Sequence, residues 1–117
     1  MNLTQIIKEI NCQVITGSLD NSRNYTKAFS SDLMSDALAF IKDDHTLLVT
    51  GLCNQQVIRT AEMIDLKLII FVRGKKPTKD VIELAEKNDI VLLSTNISMF
   101  DASGILYLRG LRGLRLR

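Results

Sequence analysis

From residue 46 onward the chain alternates short, uninterrupted apolar runs with segments of helical period, and that alternation leaves few folds open. Thr46 to Thr50, Leu66 to Val72 and Ile90 to Ser94 are each strand-length and apolar at successive positions, not only at alternate ones. Strands of that kind are covered on both faces, which is the condition of a parallel sheet flanked by helices. Between them, Val57, Ile58, Ala61 and Ile64, then Val81, Ile82 and Ala85, recur at the spacing of one helix face. Asn54 is placed to cap the first of these helices, and Pro77 with Thr78 to open the second. Ser98 with Asp101 three residues on resembles a capping box for a final helix. The crossovers are expected to be right-handed.

The first 45 residues are less regular. Leu3, Ile6, Ile7 and Ile10 predict a short amphipathic helix. Cys12 to Thr16 reads as a brief strand closed by Gly17-Ser18, residues 19–24 as a polar loop, and Tyr25 to Phe29 as a second short strand. Ser30 or Ser31 is expected to cap a helix whose apolar stripe is Met34, Ala37, Leu38 and Ile41. With one proline and no low-complexity stretch, the expectation is a single, three-layer-like α/β domain with a mainly parallel sheet.

Scarce residues narrow the chemistry. His45 is the only histidine, and Cys12 and Cys53 stand apart with no CxxC pair, so no zinc site is expected. A Ser-His-Asp arrangement would have to run through His45, where Asp43-Asp44-His45 reads more simply as a polar turn. Cys12 counts as a small apolar strand residue. Cys53, at a helix start, is either structural or a reactive thiol. With no nucleophile–base pair and no GxxxxGK[ST] or GxGxxG, neither an enzyme nor a cofactor site is expected. The 15 Lys plus Arg against 13 Asp plus Glu give +2, which does not predict a nucleic-acid binder. The absence of Trp argues against a stacking platform for single strands. No apolar run is long enough to cross a bilayer, and residues 1–5 lack the basic flank of a secretory signal. A cytoplasmic protein with reduced thiols is expected.

In an open parallel sheet, ligands favour the carboxyl ends of the strands, beside helix N-termini. Three segments should cluster there: Gly51 to Gln55, Arg73 to Thr78, and Thr95 to Ser98. Gly51, Asn54, Gln55, Arg73, Gly74, Lys75, Thr78, Thr95 and Asn96 form a candidate edge for a small anionic effector, held by free amides, a helix dipole and basic side chains. The plainer reading of residues 73–79 is a solvated basic loop, and of Asn54, Gln55, Thr95 and Asn96, caps and turns. Asp32 and Asp36, four apart, are read on one helix face, as paired carboxylates or as solvated first-turn acids.

The charge is unevenly spread: residues 1–101 carry 11 basic and 13 acidic side chains, whereas residues 102–117 carry four arginines and no acid. The repeat Leu108-Arg109-Gly110-Leu111-Arg112-Gly113-Leu114-Arg115 suggests a frayed tail or a subunit contact rather than a membrane helix, because its glycines weaken helix formation.

The run Tyr25-Thr26-Lys27-Ala28-Phe29-Ser30-Ser31-Asp32-Leu33-Met34-Ser35-Asp36 resembles the DRTGG domain family. So do the segments from Leu47 to Ile64, from Leu68 to Ala85, and from Ser94 through Phe100 to Tyr107. The family's naming motif falls at Ser22 to Ala28: Arg23 and Thr26 match, Ser22 stands for the Asp, and Lys27 and Ala28 replace both glycines. The resemblance implies a domain over 2–111 followed by a basic tail, 112–117, with a fold similar to the N-terminal domain of HPr kinase/phosphorylase. It further implies a non-catalytic regulatory module that forms a homodimer, responds to a nucleotide-like effector and serves a partner such as a redox enzyme. The alternative is a purely structural dimerisation domain whose contact involves the N-terminal helix or the Leu/Arg tail.

Overall fold

The structure is a computed structural model that describes residues 1–115. In chain order its elements are α1 (Leu3–Glu9), β1 (Gln13–Thr16), β2 (Lys27–Ser30), α2 (Met34–Phe40), β3 (Thr46–Thr50), α3 (Gln55–Met63), β4 (Leu68–Phe71), α4 (Lys79–Lys87), β5 (Val91–Ser94) and α5 (Met99–Leu108). The five strands form one sheet in the order β1-β5-β4-β3-β2. Strands β2 to β5 are parallel, and β1 joins the β5 edge antiparallel. The expected α/β architecture is therefore present, with one antiparallel edge strand.

The layers follow from that order. Strands β2 to β5 step across the sheet in one direction, so crossovers of one hand put every connecting helix on one face. Met34, Ala37 and Ile41, Val57, Ile58 and Ala61, and Val81 and Ala85 do share a core with Leu48, Ile69, Phe71 and Leu92. The other face packs Leu3, Ile6, Ala102 and Leu106 of α1 and α5 on Leu47, Val49, Leu68, Ile70 and Leu93. Neighbouring strand residues thus alternate between the two cores, the period-2 rule in a strand with no wet face.

The strand order also dictates a long connection. Strand β1 ends beside the start of β5, with Thr16 opposite Leu92, while β2 starts on the far edge with Lys27 opposite Thr46. Residues 17–26 must therefore cross the amino ends of the parallel strands. Gly17 begins that crossing at φ +115, with Val91 so close that an added Cβ would lie 2.7 Å from its side chain.

Local expectations at the caps were partly overturned. Asn54 caps α3 by accepting from Val57 N–H, and Ser98 caps α5 by accepting from Asp101 N–H. A full reciprocal capping box sits instead at Asn2 and Gln5. Neither Ser30 nor Ser31 caps α2, whose N-cap is Leu33; Ser31 Oγ only accepts from Leu33 N–H at 3.0 Å in the turn before it. Asp32 is not on a helix face with Asp36. It precedes α2 and turns back to accept from Gly51 N–H at 2.7 Å and Thr50 Oγ1 at 2.9 Å.

Candidate functional site

The carboxyl ends of β3, β4 and β5 bring the three predicted segments together. The β4–α4 turn passes through two consecutive left-handed residues, Arg73 at φ 58 and Gly74 at φ 70. Their amides are not free: Arg73 N–H donates to Ile97 O and Gly74 N–H to Thr95 O, both at 2.9 Å, and Lys75 N–H donates to Val72 O. Ser94 Oγ donates to Lys75 O at 2.8 Å, locking the turn to the β5–α5 loop. The positive φ at Arg73 aims its side chain across the sheet end onto Gly51, where an added Cβ would lie 2.5 Å from the guanidinium. A side chain at position 51 would push the guanidinium aside. Asp32 completes the group. Its carboxyl is held below the usual range first by the Gly51 N–H, with the Thr50 hydroxyl and the Arg73 charge adding to it.

The structure sorts the nine candidate residues. Arg73 and Lys75 are exposed, and among the described residues neither has an ion-pair partner. Lys75 stands near enough to Cys53 to draw its thiol pKa down, although burial pushes it up overall. The two cations therefore flank the loop Gly51 to Gln55 that opens α3, and the first turn of α3 holds no acid to compensate them. Asn96 is exposed, and its Oδ1 lies beside Gly74. The remaining candidates are occupied. Asn54 is the α3 cap, Gln55 Nε2 donates to Asp80 Oδ2, and Thr78 Oγ1 donates to Asp80 Oδ1. Thr95 is buried on the opposite side, its hydroxyl donating to Ile10 O at 2.6 Å. It follows the parity of Leu93, which faces α1 and α5, and this was readable in the sequence. At the α4 N-terminus the charge of Asp80 already sits against the dipole.

The other polar candidates are structural in their contacts. His45 Nδ1 bonds Asn24 O at 2.9 Å, and Asp43 accepts from His45 N–H, Thr46 Oγ1 and Lys27 Nζ in the turn before β3. Burial pushes the Cys12 thiol up to about 12. Both cysteines are thus less thiolate-like than a free one, against the reactive reading of Cys53.

The motif region lies at the opposite end of the sheet. Arg23 Nη1 pairs with Asp44 Oδ2 at 2.6 Å, and Thr26 ties two segments by donating its N–H to His45 O and accepting from Arg112 N–H. Lys27 and Ala28, where the family has glycines, are ordinary strand residues with no positive φ. Arg112 is docked rather than frayed, pairing with Lys27 in an isolated parallel bridge on the sheet edge. Leu116 and Arg117 lie outside the described residues.

One cavity was not foreseen. Residues 17–26 arch over the amino ends of β4 and β5 and border a half-open recess of about 760 Å³ between Gly17, Tyr25, Lys67 and Val91. Its walls come from segments far apart in sequence, brought together only by the strand order, so no local pattern marks it.

Fold and site together define a three-layer α/β domain with a cationic loop edge and no assembled nucleophile and base among its described residues. The DRTGG domain matches residues 5–108, and the chain belongs to that family. Among solved structures, it is similar to the CBS and DRTGG domains of the regulatory region of Clostridium perfringens pyrophosphatase, a structure in complex with its activator, diadenosine tetraphosphate. The TM-score is 0.68 at 19% identity, over 90% of this chain and 45% of that one, so the likeness is one of fold and the chain spans less than half of the pyrophosphatase region. No curated protein sequence matches the chain. No helix among the described residues is long and apolar enough to cross a membrane.

Proposed function

We propose that this protein is a non-catalytic regulatory module of the cytoplasm that binds a small anionic, nucleotide-like effector where α3 begins. The observation that carries this reading is the pair Arg73 and Lys75, both exposed and without an ion-pair partner among the described residues, flanking a helix start that holds no acid of its own. A phosphate there gains the α3 amides that the Asn54 cap leaves free and the charges of Arg73 and Lys75, set against the Asp32 carboxylate that already lies near Arg73. Gly51, Gly74 and Asn96 shape the floor, Asn54 and Gln55 present the helix start, and Thr78 and Thr95 act behind it through the loops they hold. The pyrophosphatase region, a nucleotide-activated relative in fold, is consistent with this class of effector.

Thermal-shift titration with adenine nucleotides, nicotinamide cofactors and inorganic phosphate tests it. A saturable rise in Tm is expected with at least one of them, lost in Arg73→Ala/Lys75→Ala; no shift at millimolar ligand sinks the effector reading, because binding to the folded state must stabilise it.

A second reading, a dimerisation or protein-interaction domain that serves a partner such as a redox enzyme without a small-molecule site, draws on α5. Phe100 is 85% and Leu108 81% exposed on the outer face of that helix, and Tyr107 lies between them. Exposed apolar side chains aligned in this way favour a homodimer contact. Sedimentation showing a monomer at every concentration would remove it.

A further inference from the structure

We propose that the half-open groove between β2, α5 and the turn after α5 is a second ligand site, built for a small carboxylate with an apolar body. The groove has a volume of about 310 Å³ and lies at the β2 edge of the sheet. Ala28, Leu106, Leu111 and Leu114 form its apolar walls, and Arg112 is the one charged side chain lining it among the described residues. Space of that size, walled mostly by apolar groups with a few fixed polar ones, is what small organic ligands occupy.

Arg112 is held in place by its neighbours but not neutralised by them. Its Nη1 donates to Tyr107 O at 3.0 Å and to Leu111 O at 2.8 Å, and the guanidinium carbon lies 4.2 Å from the centre of the Tyr107 ring. A guanidinium has five N–H donors. The three on Nε and Nη2 have no partner among the described residues, and that edge is one that takes a carboxylate in two parallel bonds. Because the ring and two carbonyls already fix the group, a carboxylate gains both bonds with little further ordering. The surrounding charge favours an acid as well. Lys27 is answered by Asp43 and Arg109 by Glu9, whereas neither Arg112 nor Arg115 has an ion-pair partner among the described residues.

The chain leaves the apolar walls uncovered. One parallel bridge ties the turn after α5 to β2 at Lys27 and Arg112, and among the described residues no backbone bond joins residues 113–115 to that strand. Gly113 lines the groove, and nothing lies within 4 Å of its would-be Cβ. Other occupants fit less well. An amine would meet the like charge of Arg112, a phosphate would find a single guanidinium among apolar walls, and an uncharged apolar molecule would leave the Nε and Nη2 donors unmet. A carboxylate on an acyl chain or an aryl ring satisfies the donors and the walls together.

Amide chemical-shift titration of the full chain with octanoate and with 3-phenylpropionate tests the site, with octanamide as the uncharged contrast. Saturable shifts are expected at Ala28, Ser103 and Gly113. Arg112→Gln should weaken carboxylate binding about tenfold, as for the loss of a charge-assisted pair. Gly113→Leu should weaken it at least as strongly by filling the groove, with Tm close to that of the unaltered chain. Tighter octanoate assigns an acyl ligand and tighter 3-phenylpropionate an aryl one; either supports the carboxylate site. No saturable shift with either acid up to about 10 mM, where a millimolar site would be largely filled, overturns it. So does octanamide binding as tightly as octanoate, which is adhesion to the apolar walls alone. Affinity unchanged in either variant, or shifts confined to residues 51–55 and 73–78 at the α3 edge, overturns it equally.

Discussion

Gly17 is where one added methyl group should cost the most. At φ +115, a Cβ would lie 2.7 Å from Val91 Cγ2 and 2.8 Å from its Cα, and backbone cannot step aside as a side chain can. Gly17→Ala is expected to lower unfolding stability by about 2–4 kcal/mol, combining a disfavoured φ with an overpacked strand start. Gly104 is its counterpart: it is helical, and nothing lies within 4 Å of its would-be Cβ, so Gly104→Ala should raise monomer stability by about 0.5–1 kcal/mol. Urea titration of both variants gives the comparison, and equal midpoints would contradict it. Asp32→Asn probes the effector edge. The amide keeps an acceptor for Gly51 N–H and Thr50 Oγ1 but loses the charge that strengthens both bonds and faces Arg73. Because Asp32 is exposed, solvent competes, and a loss of only about 1 kcal/mol is expected in the same titration.

At the scale of elements, the helices and strands that were legible are those whose signal is local. Asn54 and Ser98 cap as their residue types require, and the apolar runs from Thr46 onward are strands because no other arrangement hides both faces. Asp32 shows the opposite case: in sequence it looks like a first-turn acid of α2, but Gly51 N–H, 19 residues away, holds it and moves the helix start to Met34. The site was readable to the same degree. Clustering of the segments at 51, 73 and 95 follows from strand direction and the side taken by Thr95 from strand parity, whereas the capture of Gln55 and Thr78 by Asp80 depends on tertiary neighbours. Two elements carry predictions. If α5 carries a subunit contact, as the second reading has it, Leu108→Glu is expected to leave a monomer in sedimentation velocity, with Tm lowered only at concentrations where the unaltered chain associates, since the side chain is 81% exposed; a dimer that survives the change moves the contact elsewhere. Arg112, the residue after Leu111, is bridged to the sheet edge. Arg112 N–H donates to Thr26 O, Ala28 N–H donates to Arg112 O, and the guanidinium lies 4.2 Å from the centre of the Tyr107 ring. Ending the chain after Leu111 should therefore cost about 1–3 kcal/mol in the urea midpoint, from the two backbone bonds and the cation–π contact.

Across the whole molecule, the same topology that gathers a cationic edge at the carboxyl ends of the strands also places the ionisable groups that set its pH range. Asp20, Asp32, Asp43, Asp44 and Asp80 are all held below the usual carboxylate range. The chief causes are the Ser22 N–H for Asp20, the Gly51 N–H for Asp32, the Arg23 guanidinium for Asp44 and the Thr78 hydroxyl for Asp80. At Asp43, desolvation pushes upward and is outweighed by bonds from Lys27, Thr46 and His45. A carboxyl with a depressed folded pKa leaves the unfolded chain holding more protons, so its contribution is present above the ordinary value of 3.8 and is lost as pH falls through the folded values. Cys12 acts at the other limit. Its folded pKa of about 12 stands above the ordinary 9.0, so the unfolded chain releases the proton first and stability falls as pH rises from 9 toward 12. Thermal midpoints should therefore form a plateau between about pH 5 and 8, with an acid limb below about 4 and an alkaline limb above 9. The alkaline limb has a specific signature: Cys12→Ala should flatten it while leaving the acid limb in place. Other groups also titrate there, Tyr25 among them, whose phenol burial pushes upward, so flattening is expected to be partial. An alkaline limb identical in the variant would show that the half-buried Cys12 thiol ionises as easily in the folded chain as in the unfolded one.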